Sequence, residues 1–146
     1  MSKSNSWENG LLLLLFNNDA FANVGDASGL QPSGADGSLY VSLHTSDPGE
    51  AGSQTTNEIA YTSYARVAVA RTTGGWTITA NAVENAAAIN FPACTGGSGT
   101  ATHFGVGTAS SGAGVLLYSG ALTASLAISS GITPSFAIGA LDITED

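Results

Sequence analysis

The chain is poor in charge, and above all in positive charge. Charged residues make up 10% of its 146 residues, and only Lys3, Arg66 and Arg71 are cationic, which leaves a net charge of −8. A nucleic-acid-binding protein gains most of its affinity from clustered Lys and Arg side chains that neutralise phosphates. Anionic membrane surfaces attract the same residues. We therefore expect neither nucleic acid nor a membrane among the partners of this protein.

Cysteine and long apolar runs are also scarce. Cys94 is the single cysteine, so no disulfide can form within the chain, which is compatible with assembly in a reducing cytoplasm. The apolar run at residues 11–16 is shorter than the apolar region of a signal peptide and far shorter than the ~20 residues that span a bilayer. We expect no export segment and no membrane-spanning segment.

Small uncharged residues, in contrast, are abundant. Ala, Gly, Ser and Thr make up just over half of the chain, and 43% of all residues are hydrophobic, which argues against a disordered chain. The length predicts a single domain over residues 1–146. Such a composition suits tightly packed sheets and uncharged contact surfaces, and it leaves few groups for acid–base chemistry.

The first 20 residues are predicted to contain a short helix. Asn5 and Glu8 have the spacing of an N-cap and its capping-box partner, and the helix would run to about Phe16, although Gly10 weakens it. Residues 24–38 are rich in Gly, Ser, Asp and Pro, so they are predicted to form a loop.

The rest of the chain has the pattern of short strands and turns. Leu39, Val41 and Leu43 alternate with other side chains, and residues 63–71 alternate in the same way. The further strand candidates are WTITA, AAAINF, ATHFGVG, VLLYSGAL, ASLAIS and SFAIGALDIT. About eight short strands, with no helical period after residue 16, predict a mostly β fold: an antiparallel β-sandwich of jelly-roll type with a short N-terminal helix.

The densest group of polar side chains lies in LYVSLHTSDPGE, residues 39–50. His44, two hydroxyls and Asp47 follow one another there, and in principle they could form a catalytic group. The members of a catalytic triad, however, normally come from separate elements of the fold. Asp47, Pro48 and Gly49 also have the chemistry that a turn requires. We interpret the stretch as a strand that ends in a turn, and we expect no catalytic residue in it.

No other spacing indicates a metal, a cofactor or a phosphate. His44, His103 and Cys94 lack the short pairings that nucleate metal sites. The glycine-rich stretches lack the lysine of a phosphate-binding loop, and the acidic residues are spread thinly rather than paired. We expect no enzyme activity, no cofactor and no metal.

A carbohydrate-binding domain is an alternative of another class. Such a domain needs an aromatic platform, which Trp76, Tyr40, Tyr61 and Tyr64 could supply. Packing in a core or an interface is the more ordinary use of these residues.

Three short motifs occur in an order that resembles a family of small tailed-bacteriophage virion proteins. They are Leu-His-Thr-Ser-Asp-Pro at residues 43–48, Ser-Tyr-Ala-Arg at 63–66 and Thr-His-Phe-Gly at 102–105, and the likeness spans residues 39–146. The resemblance implies a structural protein of the phage particle without catalytic residues. Some relatives look like jelly-roll capsid cement (decoration) proteins, and others are labelled tail or tail-fibre proteins.

The resemblance implies one expected function and one alternative. The first is a capsid cement protein, assembled in the host cytoplasm, that binds the major capsid protein at the capsid exterior and stabilises the head. The net charge of −8 suits that outer surface better than a position against internal DNA. The alternative is a tail or tail-fibre component. A head protein predicts hundreds of copies per particle, and a tail protein predicts few.

A virion protein must hold its place without disulfides, so we expect it to share buried area with copies of itself, as a dimer or trimer, and with a neighbour. The apolar run is the candidate contact, and the alternative is that it covers the protein's own sandwich. The candidate interface residues are Leu11, Leu12, Leu13, Leu14, Leu15 and Phe16.

Overall fold

The computed structural model describes residues 2–145 and shows a mostly β chain with one helix and nine strands in that range. The elements are α1 (Asn5–Asn17), β1 (Ser38–His44), β2 (Val67–Ala70), β3 (Trp76–Thr79), β4 (Ala82–Asn85), β5 (Ile89–Asn90), β6 (Ser98–Gly107), β7 (Leu116–Ser129), β8 (Ser135–Phe136) and β9 (Asp142–Thr144). Within residues 2–145, no helix is long and apolar enough to cross a bilayer. The predicted fold class is confirmed: the antiparallel sheets and single N-terminal helix are consistent with a β-sandwich.

The strands form three sheets. The largest has the order β2-β1-β6-β7, a second has the order β3-β4-β9, and β5 pairs with β8. The described pairings of β1 with β6, β6 with β7, β3 with β4 and β4 with β9 are all antiparallel. Residues close in sequence alternate between the two faces of each sheet, so these registers decide which side chains meet.

The chain divides into two compact units, and the prediction of a single domain stays a prediction. Unit 1 consists of residues up to Ser38, Val69–Ala88 and residues from Phe136 onward. Unit 2 consists of Leu39–Ala68 and Ile89–Ser135. Unit 1 therefore contains α1 and the β3-β4-β9 sheet, and unit 2 contains most of the four-stranded sheet.

In unit 1, α1 begins one residue earlier than predicted. Ser4, not Asn5, is the N-cap, and its hydroxyl accepts the Trp7 backbone N–H at 3.4 Å. Glu8 therefore lies one position too far along the helix to complete a capping box. At the other end Asn18 adopts the left-handed conformation with φ 57°, as a helix C-cap commonly does. The predicted extent of the helix is thus nearly right, while its capping residue is wrong.

Gly10 has a structural role in α1 that the sequence pattern did not indicate. A Cβ atom at this position would lie 2.5 Å from the ring of Phe21, which packs on the helix at this point. Phe21 also contacts Trp7, with ring centroids 5.3 Å apart. The glycine costs some helix stability but lets an aromatic ring approach the backbone.

Arg71 holds the end of α1 in place within unit 1. Its guanidinium donates to the backbone carbonyls of Leu14 and Leu15, each at 2.6 Å, where a helix leaves its carbonyls without partners. It also donates to Ser33 Oγ at 3.0 Å and to the Asp36 carbonyl at 3.3 Å, so the predicted 24–38 loop is tied to the helix. A cation at a helix C-terminus also complements the helix dipole.

In unit 2, the β1–β6 register positions the family-like motifs. Leu43 pairs with Phe104, Val41 with Val106, and both pairs are buried. β6 continues into the β6–β7 pairing, whose register shifts between Ala101 and His103. The apolar face of this sheet is therefore built from the alternating residues that the sequence predicted for β1 and β6.

Several predicted strands differ from the observed ones. The sequence patterns missed β4, and the predicted strand at 63–71 is limited to β2. VLLYSGAL and ASLAIS, predicted as two strands, are one continuous β7, while SFAIGALDIT is divided into β8 and β9. The points where the alternation of apolar and polar residues breaks therefore do not coincide with the ends of the strands. A strand ends where its backbone stops pairing with a neighbouring strand.

Candidate functional site

The three family-like motifs meet in unit 2. The β1–β6 register places His44 directly opposite His103 and Ser42 opposite Gly105. Ser-Tyr-Ala-Arg joins them from outside the sheet, because the Tyr64 hydroxyl accepts the Leu43 backbone N–H at 3.1 Å. We call the side chains of Ser42, His44, Glu58, Tyr64 and Arg66 the motif cluster.

Arg66 and Glu58 form the charged part of the motif cluster. The guanidinium donates Nε–H to Glu58 Oε1 and Nη2–H to Oε2, both at 2.7 Å, in a bidentate ion pair. The Arg66 side chain is only 2% exposed and that of Glu58 15%. Such paired, parallel hydrogen bonds are the strongest that a carboxylate makes with a cation. The pair is thus a buried structural contact.

The same guanidinium closes the loop between β6 and β7. Arg66 Nη1 donates to the Ala109 carbonyl and Nη2 to the Gly112 carbonyl, both at 2.8 Å. The Tyr64 hydroxyl donates to Glu58 Oε1 at 2.9 Å. Arg66 therefore links the Glu58 segment to the 109–112 loop, and all of these groups are bonded within the protein.

The protonation states in this part of the motif cluster are fixed by their surroundings. Burial raises the pKa of the Tyr64 phenol, with the neighbouring Glu58 carboxylate as a further cause. The hydrogen bonds to Glu58 raise the pKa of Arg66, against the opposing effect of burial. Tyr64 is therefore neutral and Arg66 charged at every physiological pH, and neither is suited to transfer a proton.

His44 makes two short hydrogen bonds that define its tautomer. Nδ1 lies 2.8 Å from the Thr56 carbonyl, which can only accept, so Nδ1 carries the proton. Nε2 then accepts from the Ser42 hydroxyl at 2.8 Å. Burial lowers the pKa of His44, with the Thr56 hydrogen bond and the Glu58 charge opposing this shift. The neutral imidazole is the form that the folded protein favours.

Gly105 makes this arrangement possible. A Cβ atom at position 105 would lie 2.6 Å from His44 Nε2 and 2.7 Å from Ser42 Oγ, which is closer than such atoms can approach. The glycine in Thr-His-Phe-Gly thus provides the space that the histidine of Leu-His-Thr occupies. The two motifs are complementary parts of one packing arrangement.

A serine hydroxyl bonded to an imidazole also occurs in hydrolases, so its chemistry must be compared with theirs. In a catalytic triad the far nitrogen of the imidazole faces a carboxylate, and the hydroxyl lies at the surface where a substrate can reach it. Here Nδ1 faces a backbone carbonyl, and both Ser42 and His44 are 0% exposed. The geometry satisfies buried polar groups and offers no access for a substrate.

The turn after β1 has the structure that its residues predict. The Asp47 carboxylate accepts the Gly49 backbone N–H at 2.9 Å, and Gly49 has φ 69°. The Thr45 hydroxyl donates to the Asn57 carbonyl at 3.1 Å. These polar side chains stabilise the local backbone, as the interpretation of LYVSLHTSDPGE expects.

The remaining candidate metal ligands are each bonded locally. His103 Nδ1 lies 2.9 Å from the neighbouring Thr102 hydroxyl, and the buried Cys94 thiol donates to the Gly96 carbonyl at 3.3 Å. Across residues 2–145, no group of three or more His, Cys, Asp or Glu residues is placed to hold a metal ion.

Unit 2 also has an open groove that the sequence did not indicate. Its volume is about 660 Å³, and it lies between the Asp47–Glu50 turn, His103 and residues Leu116–Ala121 of β7. Asp47 and Glu50 give one wall two carboxylates. No sequence signal identifies this groove, because it depends on the position of a turn relative to a strand that follows it by about 70 residues.

The predicted interface residues lie on α1 in unit 1, where the helix packs against β3 and β4. Leu12 and Phe16 are 0% exposed, and the Phe16 ring meets Trp76 edge-on at 4.9 Å. Leu11, Leu13, Leu14 and Leu15 are half-buried. Leu12 and Phe16 therefore belong to the core, and only the other four have surface left for a contact with another chain.

The residues considered for an aromatic platform are mostly inside the protein. Trp76 is 0% exposed and Tyr61 5%. In unit 2, Tyr61 packs edge-on against Tyr64, which stacks on Phe91 at 6.3 Å. These rings form packing contacts rather than an exposed row on which a sugar could stack.

Comparison with known proteins yields one match over almost the entire chain. A family model described as "Podophage GP4 fiber I protein gp80" matches residues 2–144. Among curated proteins none matches the chain significantly. The match covers both units and all three motifs, and it supports the resemblance to phage virion proteins. The chain therefore belongs to the podophage GP4 fiber I protein gp80 family, and it is a structural protein of the phage virion.

Proposed function

We propose that the chain is a non-enzymatic component of the tail or fibre apparatus of a podophage particle. The observation that supports this position is the family match over residues 2–144, since that family is described as a fiber protein. Of the two positions that the sequence resemblance implied, the tail or fibre alternative fits this description. The position on the capsid exterior, with the major capsid protein as partner, stays a prediction.

A structural role is supported by the way the reactive side chains are used. Ser42, His44, Glu58 and Arg66 all form hydrogen bonds within the protein, and each is buried or nearly so. An active site needs reactive groups that a substrate can reach and whose protonation state suits the reaction. The motif cluster instead joins a strand, a loop and a turn into one rigid unit.

The proposed partners are other proteins of the virion. The cationic side chains are all bonded internally: Lys3 to Glu145 at 2.6 Å, Arg66 to Glu58 and Arg71 to backbone carbonyls of α1. Few positive groups remain to neutralise the phosphates of a nucleic acid or of lipid headgroups. A neighbouring protein surface that is uncharged or basic suits this chain better.

Counting copies in purified particles tests the proposed position. The chain and the major capsid protein would be quantified in the same sample by mass spectrometry with labelled standards, so that the capsid protein provides the internal scale. The tail or fibre position predicts a small number of copies per particle, because a tail has low rotational symmetry and offers few equivalent attachment positions. Hundreds of copies per particle would contradict it and favour the capsid exterior.

A deletion phage provides the second test. Without the chain, a tail or fibre component leaves heads that are intact and filled with DNA, while host adsorption or tail assembly fails. Heads that lose DNA or burst under osmotic shock would contradict the proposal. Complementation with the intact gene is the control in both measurements.

A further inference from the structure

β7 differs from every other outer strand of the described sheets. The outer strands β2 and β3 have four residues each, β9 has three, and β5 and β8 have two. β7 has 14 residues and lies at the end of the order β2-β1-β6-β7. The outer side of such a strand presents backbone N–H and C=O groups that no strand of this sheet pairs. β7 is therefore the long open edge of the largest sheet.

The chemistry of β7 offers little protection against pairing with another strand. Proteins usually protect their edges with Lys or other charges, with Pro, or by making the strand short. The sequence LLYSGALTASLAIS contains no charged residue and no Pro, and residues 85–141 as a whole contain no Asp, Glu, Lys or Arg. By contrast, β2 is flanked by Arg66 and Arg71, and β9 contains Asp142 and is followed by Glu145. Two of the short outer strands, β2 and β9, are accompanied by charged residues, and the other three are only two to four residues long. β7 has neither form of protection.

The larger of two irregularities divides β7 into two segments. Ala101 pairs with Leu126, whereas His103 pairs with Ala121, so four residues of β7, 122–125, lie opposite Thr102 alone, and β7 has three more residues than β6 there. Such a bulge bends an edge locally. On either side of it, residues 118–121 and 126–129 keep a regular ladder with β6, and a second, smaller shift lies between Tyr118 and Leu116. These two segments present the outer edge in extended form.

We propose that the outer edge of β7 pairs with β7 of a second copy of this chain, antiparallel and about a two-fold axis. Two identical strands related by a two-fold axis perpendicular to them run antiparallel, so the contact closes as a dimer and leaves no β7 edge for a third copy. A strand of 14 residues is about 45 Å long. It can supply on the order of ten hydrogen bonds, the number found in a typical stable protein interface.

The absence of charge along β7 suits this edge to pairing with a second copy of the chain. Two molecules that each carry a net charge of −8 repel each other wherever their acidic surfaces meet. β7 is an uncharged stretch along which two such molecules can approach without placing like charges opposite each other. The proposal rests on strand order and charge, and it does not depend on the position of the protein in the virion.

The test uses the purified chain and a pair of charge-matched variants. In Ser119→Lys/Ala127→Lys, a lysine is placed on the exposed side of each regular segment of β7. In the control, Ser46→Lys/Ser111→Lys, the same charge is added in exposed loops of unit 2. Sedimentation between about 1 and 100 μM measures the dissociation constant of each protein. Circular dichroism verifies that all three are folded.

We expect the wild type and the control to form dimers of the same affinity, and the β7 variant to dissociate at least about tenfold more readily. Hydrogen exchange supplies the second readout, since amides of residues 116–129 should exchange more slowly in the concentrated wild type than in the dilute one. A wild type that stays monomeric at the highest concentration would overturn the proposal. So would a dimer that the β7 lysines leave unchanged, or an assembly of three copies.

Discussion

Arg66 is held by four hydrogen bonds, two to the Glu58 carboxylate and two to carbonyls of the loop that joins β6 and β7. A buried pair of this kind need not stabilise a protein more than apolar residues would, because both ions lose their hydration. Removing one partner, however, leaves the other charge buried and unpaired. Replacing one member of the pair is therefore expected to lower the free energy of unfolding by more than the intact pair contributes to it.

We predict that Glu58→Gln lowers the free energy of unfolding by about 3 kcal/mol, because it leaves the Arg66 guanidinium without its carboxylate. Urea denaturation measures this as a lower midpoint at unchanged slope. Glu145→Gln is the control: the Glu145 side chain is about as buried as that of Glu58, at 10% against 15% exposed, but its cation, Lys3, is 35% exposed and stays hydrated when the carboxylate is removed. The control should lose about 1 kcal/mol or less. Equal losses in the two variants would show that an unpaired Arg66 destabilises the protein no more than an unpaired, partly exposed Lys3.

We predict that His44 makes stability depend on pH below its ordinary pKa of 6.5. Burial lowers the folded-state pKa, so above pH 6.5 neither state is protonated and the contribution is fully present. As the pH falls through 6.5, the unfolded chain binds a proton that the folded one does not. The free energy of unfolding then falls by at most about 1.4 kcal/mol per pH unit, until the lowered pKa is reached.

Denaturation of the wild type and of His44→Gln between about pH 5 and 7.5 checks this dependence. The glutamine variant should have a flatter profile over that range. His103→Gln is the control for replacing a histidine, and it should keep the slope that His44 causes. A wild-type slope that persists unchanged in His44→Gln would assign the pH dependence to another group.

At the scale of residues, the sequence predicts contacts that are local and misses those that the sheet register creates. The bond from Gly49 to Asp47 follows from turn chemistry within three residues. The bonds from Arg66 to Glu58 and from His44 to Thr56 join segments whose approach depends on the folded chain. No spacing in the sequence distinguishes Glu58 from the other acidic residues.

At the scale of elements, α1 contains one fully buried leucine, Leu12, and four half-buried ones. The run of five leucines in the sequence does not show which is which. We predict that Leu12→Ala lowers the free energy of unfolding by about 3 kcal/mol, because it leaves a cavity at a fully buried position. Leu13→Ala, at a half-buried position, should lose about half as much or less. Thermal or urea unfolding of the pair measures the difference. Similar losses would mean that Leu13 is buried as deeply as Leu12.

The same pair separates folding from assembly. If the half-buried leucines contact another virion protein, Leu13→Ala should weaken incorporation into particles by more than its small loss of stability explains. An incorporation defect that follows stability alone in both variants would confine α1 to the core of unit 1.

Element boundaries were harder to predict than element types. The helix was recognised because its apolar residues and end signals are local, although the cap is Ser4. β4 was missed because it has only four residues, one of them charged, and so short a stretch does not show a recognisable alternation of apolar and polar residues. The two predicted halves of β7 are joined by residues 122–125. The pairing with β6 is irregular there but resumes on both sides, and the pattern of apolar and polar residues does not indicate this. Tertiary pairing, rather than local preference, decided these cases.

At the scale of the whole molecule, composition was the more reliable guide. An excess of small uncharged residues with turn signals at short intervals predicted a mostly β chain, which is confirmed. The motif order predicted a virion structural protein, which the family match supports. Composition could not locate the protein in the particle, because an acidic protein rich in small uncharged residues suits both the capsid exterior and the tail.

The scarcity of cations has a practical consequence for digestion of this protein. Trypsin cleaves after Lys and Arg, and only three such residues occur, of which Arg66 is buried and Arg71 is bonded to the end of α1. Cleavage requires a segment that can leave the structure and enter the protease. The folded protein is therefore open to trypsin mainly at Lys3, and even the denatured chain yields one fragment covering residues 72–146. Copy counting from peptides must accordingly use a protease that cleaves after aromatic residues, or this protein will be undercounted in the particle that contains it.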